Sequence, residues 1–231
     1  MGAGTISRPS CLRQTMQFFR RAEGMPSRLG ILPGTFNPIT VAHVALARAA
    51  LSRVDEVVYV LPRVFPHKPY GRATFAQRVE LLCAVAAEDA KFSVAASGGG
   101  LFVEMAAECR AAYGNDAAFT FLCGRDAAER IVNWDYGRPG AVGEMLRQFD
   151  LLVAARGGRY EPPPEFRAAI RSMELAGEFD HVSATEVRAT MARGETWEHL
   201  VPAAIRERVK KIYGGKGPDA GGRGPGLQHP A

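Results

Sequence analysis

The stretch Leu29-Gly30-Ile31-Leu32-Pro33-Gly34-Thr35-Phe36-Asn37-Pro38-Ile39-Thr40-Val41-Ala42-His43 decides the fold. Leu29–Leu32 reads as a short buried strand. Gly34 opens a loop, and Val44-Ala45-Leu46-Ala47-Arg48-Ala49-Ala50-Leu51 beyond it is a run of strong helix formers. A glycine loop between a strand and a helix start is where a parallel sheet binds phosphate. Gly34 permits a sharp turn and close approach to a ligand, and the helix amides and dipole favour an anion. Thr40 and His43 are three residues apart, so they share a face of the first turn. That face predicts a hydroxyl and an imidazole donating to one phosphoryl oxygen. Taken alone, the same turn serves equally as a plain structural loop.

Outward from this loop, strand-like and helix-like segments alternate. Val57–Leu61, Phe92–Val94, Ala118–Cys123 and Leu151–Ala155 read as strands. Thr74 caps a helix to about Ala87. Leu101–Tyr113 is helical and ends at Gly114, and Ala127–Val132 and Ala141–Phe149 are further helices. Pro162–Pro164 marks a loop before another helix, and Ser183–Ala192 and Pro202–Tyr213 close the chain as helices. The alternation predicts an α/β fold, a Rossmann-like doubly wound parallel sheet with C-terminal helices.

Composition bounds the function. The chain has 231 residues, 47% hydrophobic and 23% charged, and no apolar run long enough to span a bilayer. Its net charge of +5 lies in the tails: residues 1–28 hold five arginines against one glutamate, and residues 214–231 add one net positive charge. The neutral body argues against a nucleic-acid face. Cys11, Cys83, Cys109 and Cys123 form no CxxC pair and have no histidine at ligand spacing. This pattern argues for reduced thiols in a cytoplasmic protein, without a metal site or a disulfide framework. Residues 1–28 are expected to be a disordered or mis-started extension, with Met25 as an alternative start. Residues 29–213 form the folded domain, and the Gly/Pro-rich residues 214–231 form a disordered tail.

A second phosphate-binding pattern lies about 150 residues further on. In Val182-Ser183-Ala184-Thr185-Glu186-Val187-Arg188, Ser183 or Thr185 caps a helix whose first amides face an anion, and Arg188 adds a charge-assisted bond from the first turn. The two segments together resemble the nucleotidylyltransferase superfamily. Gly34–His43 is similar to its GxFxPxHxGH loop, with Thr40 a familiar variant at the first His position and Ala42 a departure from Gly. Val182–Arg188 resembles its ISSTxIR motif. Pro66-His67-Lys68, Gly124-Arg125-Asp126 with Trp134, and Leu200-Val201-Pro202 through Ile212-Tyr213-Gly214 resemble the nicotinate/nicotinamide mononucleotide adenylyltransferase branch.

The resemblance implies transfer of AMP from ATP to a mononucleotide in NAD biosynthesis, with pyrophosphate released and Mg²⁺ carried by ATP. It implies that His43 and Thr40 stabilise the α-phosphoryl oxygens and that Lys68 holds a phosphate. Ser183, Thr185 and Arg188 would grip the leaving phosphates. Gly34, Thr35, Phe36, Asn37 and Gly124 would line the nucleotide site, Asp126 would bond the ribose, and Trp134 would stack on the acceptor ring. Partners are small molecules, with a homo-oligomer possible and neither nucleic acid nor membrane expected. In place of the branch's YTxDTL-like segment stands Gly100-Leu101-Phe102-Val103-Glu104-Met105-Ala106, which lacks the hydroxyls. The acceptor's ring substituent is thereby left open. Other acceptors such as phosphopantetheine, CTP in place of ATP, and a nucleotide-binding module without turnover stand as alternatives.

Overall fold

The computed structural model describes residues 16–64, 72–155, 158 and 160–215. In chain order the elements are β1 (Gln17–Arg20), β2 (Arg28–Pro33), α1 (Val41–Ala50), β3 (Glu56–Pro62), α2 (Phe75–Ala86), β4 (Phe92–Ser97), α3 (Phe102–Tyr113), β5 (Ala118–Gly124), α4 (Arg125–Asn133), α5 (Ala141–Leu146), β6 (Asp150–Ala154), β7 (Ile170–Met173), α6 (Ala184–Arg193) and α7 (Arg206–Tyr213). Short 3-10 turns lie at Pro164–Phe166, Glu198–Leu200 and Ala203–Ile205.

The strands form one sheet in the order β1-β4-β3-β2-β5-β6-β7, parallel except for β1. Sequence runs outward both ways from β2, through β3 and β4 on one side and β5, β6 and β7 on the other. This is the doubly wound order expected for a Rossmann-like sheet. The central strands read as apolar runs because both faces are covered. Every residue of β3 is buried. Val57, Tyr59 and Leu61 face one core with Leu81, Leu82, Ile205 and Val209, while Val58 and Val60 face the other with Met105, Cys109 and Phe121. The helices therefore divide between the faces, with α1, α2, α6 and α7 on one and α3, α4 and α5 on the other.

Three expectations are corrected. The stretch expected to be disordered through residue 28 supplies β1, which pairs antiparallel with β4. Two of its arginines hold it there. Arg20 Nε donates to Phe92 O at 3.3 Å, and the Arg21 guanidinium lies 4.7 Å over Phe18 and 4.8 Å over Tyr113. The helix expected soon after Pro162–Pro164 is a 3-10 turn followed by β7, whose Ile170 and Met173 are buried beside β6. The helix expected over Ala141–Phe149 stops at Leu146, and Phe149 turns into the core as the chain enters β6.

Candidate active site

The sheet changes direction between β2 and β5, which are hydrogen-bonded neighbours but lead into loops that diverge. Ligands of such sheets lie beyond the carboxyl ends of the strands at this point. Gly34 follows β2 here, and Gly124 ends β5.

Gly34 N–H donates to Val60 O at 3.1 Å, which ties the loop to β3. Phe36 then takes a left-handed conformation, φ +45°, and buries its ring against Tyr59 and His43 at centroid distances of 5.8 and 5.3 Å. The ring folds back over Gly34, where a Cβ would stand 2.9 Å from Phe36 Cζ. The Phe36 ring thus leaves no room for a side chain at Gly34. Phe36, expected to line the nucleotide site, is only 1% exposed and supports the loop from beneath. The Asn37–Pro38 peptide is cis.

Thr40 is the N-cap of α1 and is fully buried. Its backbone N–H donates to His43 Nδ1 at 3.2 Å, and its Oγ1 lies 2.7 Å from the same nitrogen. An amide only donates, so Nδ1 accepts and the imidazole proton sits on Nε2. The Thr40 hydroxyl is buried against His43 Nδ1, and the Thr40 amide sets the tautomer of the ring.

The second motif meets the first. Ser183 Oγ accepts from Glu186 N–H at 3.0 Å and caps α6. From the same helix, Arg188 Nη1 donates to Asn37 O and, at 3.0 Å, to Ala184 O, while its Nη2 donates to Thr185 Oγ1 at 3.3 Å. Segments 151 residues apart are joined at one guanidinium. Two residues with no role expected at the loop also reach it. Arg78 Nη1 donates to Thr35 O at 2.9 Å, and Tyr213 Oη donates to Asn37 Oδ1 at 2.6 Å.

Ala42, Gly124 and Cys123 border a cavity of about 100 Å³ beside His43. The Ala42 methyl forms part of its wall. A Cβ at Gly124 would meet nothing within 4 Å, and its φ of −81° is open to any residue. The fold itself makes no demand for glycine there, so the space is left on the cleft side. Burial pushes the Cys123 thiol up to about 12, and it stays neutral.

Asp126 lies in the first turn of α4, and Trp134 is its C-cap. Both border one shallow depression with Glu129, Arg130 and Asn133, and the Trp134 side chain is 58% exposed. It is not core filler. Lys68 lies outside the described residues.

The segment that replaces the hydroxyl-bearing one has its own order. Glu108 accepts from Gly98 N–H at 3.2 Å, Gly99 N–H at 3.0 Å and Ser97 Oγ at 2.9 Å. Glu104 Oε2 accepts from Gly100 N–H at 2.9 Å and Leu101 N–H at 3.0 Å. Four consecutive amides are thus met by two carboxylates of α3. Gly100, Leu101 and Phe102 line a cavity of about 310 Å³ together with Tyr136 and Met145.

The sequence profile of the family described as cytidylyltransferase-like matches residues 31–190, from within β2 to within α6. That span contains both Gly34–His43 and Ser183–Arg188.

The chain belongs to the cytidylyltransferase-like family.

Within the family it is similar to a protein of Bordetella avium named "Probable nicotinate-nucleotide adenylyltransferase", at 30% identity over 194 residues, 79% of this chain and 94% of the relative. A protein of the same name from Citrifermentans bemidjiense is 28% identical over 208 residues, 80% of this chain and 96% of the relative. The solved structure of Plasmodium falciparum nicotinic acid mononucleotide adenylyltransferase complexed with NaAD has a TM-score of 0.63 at 16% identity, covering 80% of this chain and 95% of that one. This last likeness shows the shared fold.

Proposed function

We propose that this nucleotidyltransferase moves AMP from ATP to nicotinate mononucleotide, or to its amide, and releases pyrophosphate in NAD biosynthesis. The observation that carries the reading is the junction of the two motifs, where Arg188 of α6 holds Asn37 O of the loop that leads into His43. Relatives named for adenylylation of nicotinate nucleotide match over 80% of the chain and support the choice of acceptor.

An oxygen of the acceptor phosphate attacks the α-phosphorus in line. The new O–P bond forms as the bond to the β-phosphate oxygen breaks, and pyrophosphate leaves with that electron pair. His43 Nε2–H donates to an α-phosphoryl oxygen as charge develops, and Thr40 fixes its direction from Nδ1. Amides at the start of α6, with Ser183, Thr185 and Arg188, hold the leaving phosphates. The depression bordered by Asp126 takes a ribose, and the exposed Trp134 stacks on the acceptor ring. The donors at the loop are amides, an imidazole and guanidinium groups, which suit phosphate oxygens rather than a cation. Mg²⁺ therefore enters on the triphosphate as part of the substrate. Among the described residues no helix is long and apolar enough to cross a membrane. The thiol pattern read from the sequence supports a cytoplasmic site for the reaction.

Pyrophosphate release with ATP and CTP, each against nicotinate mononucleotide, nicotinamide mononucleotide and phosphopantetheine, tests the proposal. Fastest release is expected with ATP and a pyridine mononucleotide. Turnover with phosphopantetheine alone, or with CTP alone, overturns it.

A further inference from the structure

The oxygens of the phosphate loop are met by three donors on three different helices. Thr35 O accepts from Arg78 of α2, Asn37 O from Arg188 of α6, and Asn37 Oδ1 from Tyr213 at the end of α7. Sequence separations of 43, 151 and 176 residues make each a product of the tertiary fold. Arg78 is 2% exposed and Tyr213 1%, so the two oxygens they meet, Thr35 O and Asn37 Oδ1, are held from inside the protein.

This arrangement has a physical logic. The N–H and C=O of a peptide unit point in opposite directions. In the Thr35–Phe36 peptide, an amide offered to an anion turns the Thr35 carbonyl inward, where it needs a donor; Asn37 precedes a proline and brings its own carbonyl and side-chain oxygen, which also need donors. Arg78 supplies the one for Thr35. It also bonds Thr74 O at 3.4 Å, which fixes it to the capped start of α2. Tyr213 is held at both ends, because its carbonyl accepts from Arg72 Nη1 at 3.4 Å. Burial raises the Tyr213 phenol well above its ordinary value, so it remains a donor. A guanidinium is buried at the loop, and a neutral strut runs to the loop from the last helix.

We propose that Arg78 and Tyr213 are positioning residues for the transfer reaction. They act through Thr35 and Asn37 to hold the loop in the shape that aims its amides and His43 at the α-phosphate. The last helix thereby becomes part of the nucleotide site without touching the nucleotide. The inference rests on reading Gly34–His43 as the phosphate site.

The test uses the full chain with Tyr213→Phe, Arg78→Gln, Arg78→Lys and, as a reference, His43→Ala. Calorimetric Kd for ATP with Mg²⁺, kcat, KM for each substrate and Tm are measured together. Tyr213→Phe removes one oxygen atom and is expected to keep Tm within a few degrees and the acceptor KM within about twofold, while kcat/KM for ATP falls about tenfold. Arg78→Gln should lose on the order of 100-fold in the same ratio, with Arg78→Lys recovering much of it. The proposal is overturned if Tyr213→Phe binds and turns over ATP as the unaltered chain does. It is equally overturned if every loss follows Tm and the acceptor KM rises in parallel. Should Arg78→Gln fail to fold, Tyr213→Phe decides alone. Unaltered turnover in His43→Ala marks instead a failure of the phosphate-site reading on which the inference stands.

Discussion

Thr40 and His43 meet at a single nitrogen. The backbone N–H of Thr40 donates to His43 Nδ1 at 3.2 Å, and its hydroxyl lies 2.7 Å from the same atom. The ring is thereby fixed as the Nε2–H tautomer, and its direction follows from the N-cap of α1. Replacing His43 with Ala is expected to lower kcat by about 10²- to 10³-fold with the KM for ATP little changed. Thr40→Val keeps the amide bond and loses the hydroxyl, so its loss is expected to be smaller, about tenfold. Steady-state kinetics on both variants check the order, and a Thr40→Val loss as deep as that of His43→Ala contradicts it.

Two glycines at the switch point answer to different demands. A Cβ at Gly34 meets the Phe36 ring at 2.9 Å, whereas a Cβ at Gly124 meets nothing within 4 Å. Gly34→Ala should therefore destabilise by about 1–3 kcal/mol through forced overlap. Gly124→Ala should leave Tm unchanged and weaken ATP binding, because its methyl enters the cleft. Thermal melts paired with ATP titration separate the two, and a Gly124→Ala protein that binds ATP normally removes Gly124 from the site.

A chain started at Met25 would lack β1. It would lose the Ala22 N–H bond to Ser93 Oγ at 2.8 Å and uncover a buried cluster in which Ser93 and Tyr113 donate to Glu56 at 2.6 and 2.5 Å. The truncated protein is expected to melt several degrees lower and to exchange the amides of β4 faster. Equal melting temperatures would show that β1 contributes little.

Tyr59 is wholly buried, and its hydroxyl has no hydrogen-bond partner among the described residues. An unmet buried hydroxyl costs on the order of 1–3 kcal/mol. Tyr59→Phe keeps the ring contacts with Phe36 and Phe92 and is expected to raise Tm. A clear fall in Tm contradicts this account.

Alkaline pH acts on the same cores. Burial raises the Cys123 thiol from 9.0 to about 12 and also raises Tyr113 and Tyr213 above their ordinary value. A raised acid holds its proton more tightly in the folded state. Its contribution is intact below the unfolded value and is lost as pH rises through the folded one. Tm should be flat to about pH 9 and fall beyond it, more shallowly in Cys123→Ala. A Tm that rises between pH 9 and 11 has the wrong sign.

What the sequence makes legible follows from where each residue's partners lie. Val57–Leu61 reads plainly as a strand because burial on both faces leaves an unbroken apolar run, and Ala118–Cys123 is interrupted only by Thr120. The outermost strands do not. Gln17-Phe18-Phe19-Arg20 alternates and has polar ends, and Ile170-Arg171-Ser172-Met173 is four residues long, so pairing with β4 and β6 defines them. The Thr40–His43 pair is visible because it is local. Arg78 reads as an ordinary helix arginine, since nothing nearby in sequence tells that its partner is Thr35 O. The burial of Thr40 against His43 is hidden from the sequence for a related reason. Spacing places two side chains on one face, but only packing says whether that face is open.

The corner between β4 and α3 carries its own counter-ions. Glu104 and Glu108 answer the four amides from Gly98 to Leu101 before any ligand arrives. A corner whose amides are already met from within the chain keeps its shape without help from a ligand, so its geometry is settled by folding alone.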